Sequence, residues 1–349
     1  MEKRTKRKMK WIGLILLLLI LLLVIAFLAA KMVGRKAMTG KMDETIEVTA
    51  PNTEDVVVED DGEFIIYKGE KYRYNENITS VLCMGVDNED SDTEDSQIGS
   101  AGQADMLMLA ILDTENGDVN LWNISRDSMT DVDIYNVDGE YVRTETMQAC
   151  LAFAYGDGKE SSCENTVRAV SRLLYGMPIQ SYAVINMDAI RPLNDAVGGV
   201  EVTIKEGDIL PARFKVGTTV LLLGDDVETY VRSRRTERPD EPLDSNNNRM
   251  ARQKQYMMNF IQKALQMTKQ DITTPAKLFR IALQDDNMTT NLNVSKVAYL
   301  TTIFSKVSFT ENSFQTIPGE VVAGEKYAEY HVDDEALYQM ILDTFYIKE

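Results

Sequence analysis

The chain has 349 residues and carries 37 Lys and Arg against 55 Asp and Glu, for a net charge of −18. Such an acidic chain lacks the basic field of a duplex binder, which excludes nucleic acid as a partner. A single histidine, His331, excludes a His-rich metal site and gives no basis for a Ser-His-Asp triad.

The first ten residues, MEKRTKRKMK, hold six basic residues and one acid. Trp11 to Ala30 follow without a charge. About 20 apolar residues match the hydrocarbon thickness of a bilayer. A signal-peptide core runs to about 7–15 residues, so a retained single-pass anchor over 11–30 is expected, although AFLAA offers a cleavage-like site. The basic flank places the tail 1–10 in the cytoplasm and the rest of the chain outside the cell. Only three cysteines occur, too few for a disulfide framework. Cys83 falls in an apolar strand, whereas Cys150 and Cys163 either pair or are buried as small apolar residues.

Residues 31–76 are polar and acidic with short β-prone pieces, and are expected to be a linker. The globular domain is expected over 77–349. The run Ile78–Asp87 reads as a buried strand, and Asn88–Ala104 as a polar loop. Asp105–Leu112 and Val119–Ser125 read as a hairpin about Asn116-Gly117, with the first strand antiparallel to the second. Asp87, Asp105 and Arg126 then converge on one sheet edge. A helix is predicted after Ser161, with Ser161 and Glu164 as its capping box and Gly176 as its stop. A strand (IQSYAVINMD), a short helix capped by Asp188, a Gly198-Gly199 stop and another strand follow. This alternation predicts an α/β fold, a mixed central sheet flanked by helices in an α/β/α sandwich.

Arginine then gathers in YVRSRRTERPDEPLDSNNNRMARQKQYM. A helix from Asp225 carries Arg232, Arg234 and Arg235. A long helix follows, capped by Ser245 or an Asn, with an apolar stripe at Met250, Met257, Ile261 and Leu265. Arg249, Arg252, Gln253 and Tyr256 share a second face. Helices are expected over Pro275–Leu283, Ser295–Phe304 and Asp333–Phe345, with a strand near Phe314–Ile317.

Two carboxylates at one sheet end suit a hard cation such as Mg2+, which takes one or two carboxylates plus phosphate oxygens. Arginine forks and a helix N-terminus suit phosphate. Together they describe a diphosphate site with a metal. The alternative for Asp87 and Asp105 is a role as strand-end turn residues, and for Arg232, Arg234 and Arg235 a solvated face. GDGKESS lacks the spacing of a phosphate-binding loop.

The segments VLCMGVD, GQADMLMLAIL, LWNISRDSM, AFAYGDG, YAVINMDAIRPLNDAVGGVEVTI, YVRSR and RMARQKQYM resemble, in order, the motifs of the LytR-CpsA-Psr family. The resemblance covers 78–265 and leaves 268–349 unassigned. It implies a Gram-positive cell-membrane enzyme with its catalytic domain extracellular. The implied reaction moves an anionic glycopolymer, such as teichoic acid or capsule, from a polyprenyl diphosphate carrier to peptidoglycan with Mg2+. By resemblance, Asp87 and Asp105 bind the metal and one serves as base. Arg126, Arg232, Arg234, Arg249 and Arg252 clamp the diphosphate, Gln253 and Gln148 add polar contacts, and an apolar tunnel takes the prenyl chain. The pattern departs at Gln103-Ala104 (usually Arg-Ser), Ser125 (usually Pro), Gln148 (usually Lys) and in a longer loop before Arg249. Two lost cations imply a different donor or reduced activity, unless Arg235 and Arg238 compensate. The alternatives are a non-catalytic envelope protein that binds lipid-linked precursor, and a prenyl-diphosphate pyrophosphatase.

Overall fold

In the computed structural model, the residues described are 28–39, 46–51, 55–86, 101–208, 210–233, 245–304, 307, 309–324 and 327–349. Helix α1 spans 28–38. Strands β1 (Val56–Glu59), β2 (Phe64–Tyr67) and β3 (Glu70–Tyr74) precede β4 (Ile78–Val86), β5 (Ala104–Asp113) and β6 (Val119–Ile124). A hairpin of β7 (Met129–Tyr135) and β8 (Tyr141–Gln148) leads into α2 (Leu151–Ala154), α3 (Glu160–Leu173) and β9 (Ser181–Asn186). Next come α4 (Ile190–Ala196), β10 (Val200–Thr203), β11 (Thr219–Leu222), α5 (Asp225–Arg232), α6 (Ser245–Gln270) and α7 (Thr274–Ala282). The chain finishes with β12 (Met288–Thr290), α8 (Val294–Phe304), β13 (Phe314–Thr316), β14 (Gly319–Ala323), β15 (Ala328–Val332), α9 (Asp334–Phe345) and β16 (Tyr346–Lys348).

The central sheet has six strands in the order β12-β9-β4-β5-β6-β13. It is mixed: β4 runs antiparallel to β5 and parallel to β9, and β6 runs antiparallel to β5 and parallel to β13. Both faces are covered, so β4 is buried along nearly its whole length. Leu82, Met84, Leu107, Leu109 and Trp122 pack with α3 and α9 on one face. Val81, Met108 and Leu121 pack with α6 and α8 on the other. This is the mixed α/β sandwich that the alternation of elements predicts.

The linker reading of 31–76 fails between Val56 and Tyr74. There β1, β2 and β3 form an antiparallel sheet completed by β16 from the far end of the chain. Ile65, Tyr67 and Tyr72 are buried in the main core. The alternation is local, but its closing strand is distant in the chain, as Tyr74 pairs with Tyr346. The capping box at Ser161 and Glu164 is also corrected. Helix α3 starts at Glu160, and the Asp157 carboxylate accepts from the backbone N–H groups of Lys159, Ser161 and Ser162 at 2.8, 3.1 and 3.4 Å. The carboxylate satisfies these amides, and its charge also complements the helix dipole. At the other end Gly176, at φ 83°, closes α3 as expected, its N–H donating to Ser171 O at 2.8 Å. Before α4, the Asn186 side chain, not Asp188, takes the capping role.

Cys83, Cys150 and Cys163 are all free. Burial pushes the Cys83 thiol up to about 11 and the Cys163 thiol up to about 12; Cys163 lies in the core on the α3 face, and Cys83 is partly buried against the core on the α6 face. His331 is exposed and meets Glu329 at 2.8 Å. Among the described residues no helix is long and apolar enough to cross a membrane. The span expected over 11–30 lies, up to residue 27, outside the described residues.

The C-terminal segment, unassigned by motif, belongs to the core. Leu337, Ile341, Leu342 and Phe345 of α9 are all fully buried, and the Phe345 ring meets Trp122 edge-on at 5.7 Å. Phe345→Ala is therefore expected to destabilise the domain by about 3–5 kcal/mol, the cost of an aromatic-to-alanine cavity. The midpoint of urea unfolding reads this directly. A loss below about 1 kcal/mol would mean that α9 is not integral to the core.

Candidate functional site

The parallel pair β4 and β9 ends at Val86 and Asn186, β5 begins beside Val86, and β6 returns to the same edge. Asp105 is the second residue of β5, and Arg126 lies two residues beyond β6. Their convergence follows from antiparallel register, in which Leu107 opposes Ile124. The Arg126 guanidinium donates to both the Asp105 carboxylate and the Gln103 amide oxygen. It also lies 3.5 Å from Cys150 Sγ and 3.7 Å from Asp127 Oδ1. The Arg126 and Asp105 side chains are 28% and 32% exposed, so the pair is reachable from solvent. Burial raises the Asp127 carboxyl above its usual range, with Arg126 opposing that effect.

A cavity of about 490 Å3 adjoins this edge, between the sheet and helices α4, α5 and α6. That volume is within the range of small-molecule sites. Met106, Ile190, Leu193, Met257 and Phe260 make much of its wall apolar. Asp105, Arg232, Arg249 and Gln253 give it charge and polarity. Gly85 also lines it, where a Cβ would come within 3.2 Å of Met106 Cβ. Arg232 closes α5, and Arg249 is the fifth residue of α6, so the two helix ends bring both cations to one space. An apolar chamber with a carboxylate and two guanidinium groups can hold an amphiphile with an anionic head.

Other residues expected at the site are placed differently. Of the helix face Arg249, Arg252, Gln253 and Tyr256, only Arg252 does not line the cavity. It is 2% exposed, its Nε donating to Tyr230 O at 2.9 Å and its Nη2 to Ser233 O, with Nη1 3.7 Å from Asp208 Oδ1. Helical spacing puts it on a ligand face, but packing of α5 on α6 turns it into the interior. Gln253 lines the cavity and also donates to Val231 O at 3.1 Å. Gln148, expected to touch the donor, lies outside the cavity lining. Its amide donates to Asp127 Oδ1 at 3.2 Å and Ala328 O at 2.7 Å. Asp87, Arg234, Arg235 and Arg238 lie outside the described residues.

Sequence reasoning missed the partner role of Gln103, which the family pattern marks only as a lost cation. It also missed the apolar wall from α4, although the short amphipathic stretch IRPLNDA carries that signal. Among the described residues no group of three or more His, Cys, Asp or Glu is set to hold a metal. Asp105 supplies one hard oxygen donor in the cavity, which fits an ion that takes few carboxylates and fills its sphere with phosphate oxygens.

A family model described as LytR_cpsA_psr family matches residues 35–344. The chain is 25% identical over 247 residues to the polyisoprenyl-teichoic acid–peptidoglycan teichoic acid transferase TagV of Bacillus subtilis (strain 168), covering 68% of this chain and 55% of that protein. It thus spans about half the length of the curated relatives it matches. The crystal structure of B. subtilis TagV superposes with a TM-score of 0.55 at 22% identity, covering 78% of this chain and 96% of that one. A structure of TagT bound to LI-WTA gives 0.53 at 19% identity, covering 77% and 89%. These structures share the fold.

Proposed function

The chain belongs to the LytR-CpsA-Psr family, and from that premise we propose that it transfers an anionic glycopolymer from a polyprenyl diphosphate carrier to peptidoglycan. One observation carries the reading: the apolar cavity whose lining includes Asp105, Arg232 and Arg249 together. The relative named as a teichoic acid transferase and the TagT structure bound to LI-WTA support the choice of substrate class.

In this reading the apolar wall takes the first prenyl units. Arg232 and Arg249 hold the diphosphate oxygens, since guanidinium forks match phosphate and act strongly in a dry site. The acceptor sugar hydroxyl attacks the phosphorus that bears the glycopolymer. A new P–O bond forms to the acceptor, the P–O bond to the prenyl phosphate breaks, and the hydroxyl proton passes to a carboxylate. Asp105 is the described candidate for that base, and Arg126 and Gln103 fix its neighbourhood. Asp105, with Asp87 from the sequence, would hold Mg2+, which supplies charge neutralisation on the diphosphate. Positioning and charge account for most phosphoryl-transfer catalysis, so the absence of a histidine here is no obstacle. Trp11–Ala30 is proposed as the membrane anchor that keeps the site near its lipid donor.

The test uses the full chain in detergent with Mg2+ and a labelled polyprenyl-diphosphate glycan. Release of prenyl phosphate only when a peptidoglycan fragment is added is the expected result. Equal release in water alone would identify a pyrophosphatase. Tight binding without release would leave a binding protein and overturn the enzyme reading.

A further inference from the structure

Helix α5 ends on Arg232, and its last carbonyls have no partners within the helix. Thr229 O accepts from Ser233 N at 3.2 Å, and the next two carbonyls are met from α6. Arg252 Nε donates to Tyr230 O at 2.9 Å, Gln253 Nε2 to Val231 O at 3.1 Å, and Arg252 Nη2 to Ser233 O. A cation at a helix C-terminus also complements the dipole there. The guanidinium is 2% exposed, so its charge needs a counter-ion. Asp208, on the segment between β10 and β11, approaches it at 3.7 Å, with a side chain only 5% exposed. The other Asp208 oxygen accepts from Lys205 N at 2.7 Å, which fixes the carboxylate from behind.

We infer that Asp208 and Arg252 are positioning residues: their buried pair fastens the end of α5 to the start of α6 and so sets where Arg232 stands relative to Arg249. The inference rests on the diphosphate reading of the cavity, and it changes the role of Arg252 within it. Arg252 does not touch the donor. It holds the carbonyls on either side of Arg232, and Asp208 holds Arg252. An error of about 1 Å in such a clamp costs on the order of a hundredfold in rate, so the lock matters without contacting substrate.

The two roles for Arg252 give opposite signs on one substitution. If Arg252 bound the diphosphate directly, Asp208→Asn would remove a competing anion and strengthen binding. As a lock, the pair loses its counter-charge, α5 loosens, and binding of geranyl diphosphate to the full chain weakens by about tenfold. The titration is run with circular dichroism unchanged from the parent. Unchanged or tighter binding overturns the inference. Wild-type protein supplies a second measurement that needs no variant to fold. Phenylglyoxal labelling followed by peptide mass analysis is expected to modify Arg232 and Arg249, and to leave Arg252 unmodified with or without geranyl diphosphate. Modification of Arg252 in the free protein overturns the lock. Failure of geranyl diphosphate to protect Arg232 and Arg249 would instead count against the diphosphate site itself, so the two failures are separable.

Discussion

Arg249→Ala is expected to cut transfer from a polyprenyl-diphosphate donor by about 10²–10³-fold, the usual loss for one preorganised donor to developing charge. The fold should survive. Arg249 lines the cavity near the start of α6 and is only half-buried, while the apolar stripe of α6 that packs on the sheet lies elsewhere, at Met257, Met258, Ile261 and Leu265. Its removal therefore opens no core cavity, and the unfolding free energy should change by less than about 1 kcal/mol. Arg249→Lys is expected to recover only part of the activity, because an ammonium cannot reproduce the planar fork. Initial rates with saturating donor, beside urea unfolding of the same preparations, check both halves. Normal turnover by the alanine variant would remove Arg249 from the site.

Asp105→Asn should be nearly as damaging, with a loss of about 10²–10⁴-fold, the range for a general acid–base group. The substitution keeps size and shape but removes the negative charge and the proton acceptor. It also leaves Arg126 without the carboxylate that it now binds, and Gln103 cannot replace that charge. The Arg126–Asp105 pair is partly exposed and Asp127 Oδ1 stays 3.7 Å from Arg126, so water and that second carboxylate screen the cation and the stability change stays small. If Asp105→Asn turns over at the parental rate across pH, then neither base catalysis nor metal binding depends on Asp105.

Local pattern makes a good part of this fold legible. The apolar run of β4, the Asn116-Gly117 turn between β5 and β6, the Gly176 stop of α3 and the start of α9 at Asp333 all announce themselves within a few residues. Antiparallel register alone, which the turn residues imply, brings Asp105 and Arg126 to one edge. What stays hidden depends on distant partners. The strands at Val56–Tyr74 look like a spacer because the strand that completes their sheet is β16. The β7–β8 hairpin carries a readable Asp138-Gly139 turn, but its outer strand is exposed along most of its length and lacks the buried alternation that marks the others. Arg252 shows the limit for function. Its spacing from Arg249 is that of a shared ligand face, and only the docking of α5 against α6 shows that it serves backbone carbonyls and Asp208.

The most direct test of the central claim is a structure of the full chain in detergent with a short-chain polyprenyl diphosphate and Mg2+. The diphosphate is predicted to lie between Asp105 and the guanidinium groups of Arg232 and Arg249, with the prenyl chain along Met106, Ile190 and Phe260 in the cavity. Density for the ligand at any other place, with this cavity still empty at saturating concentration, would contradict the account.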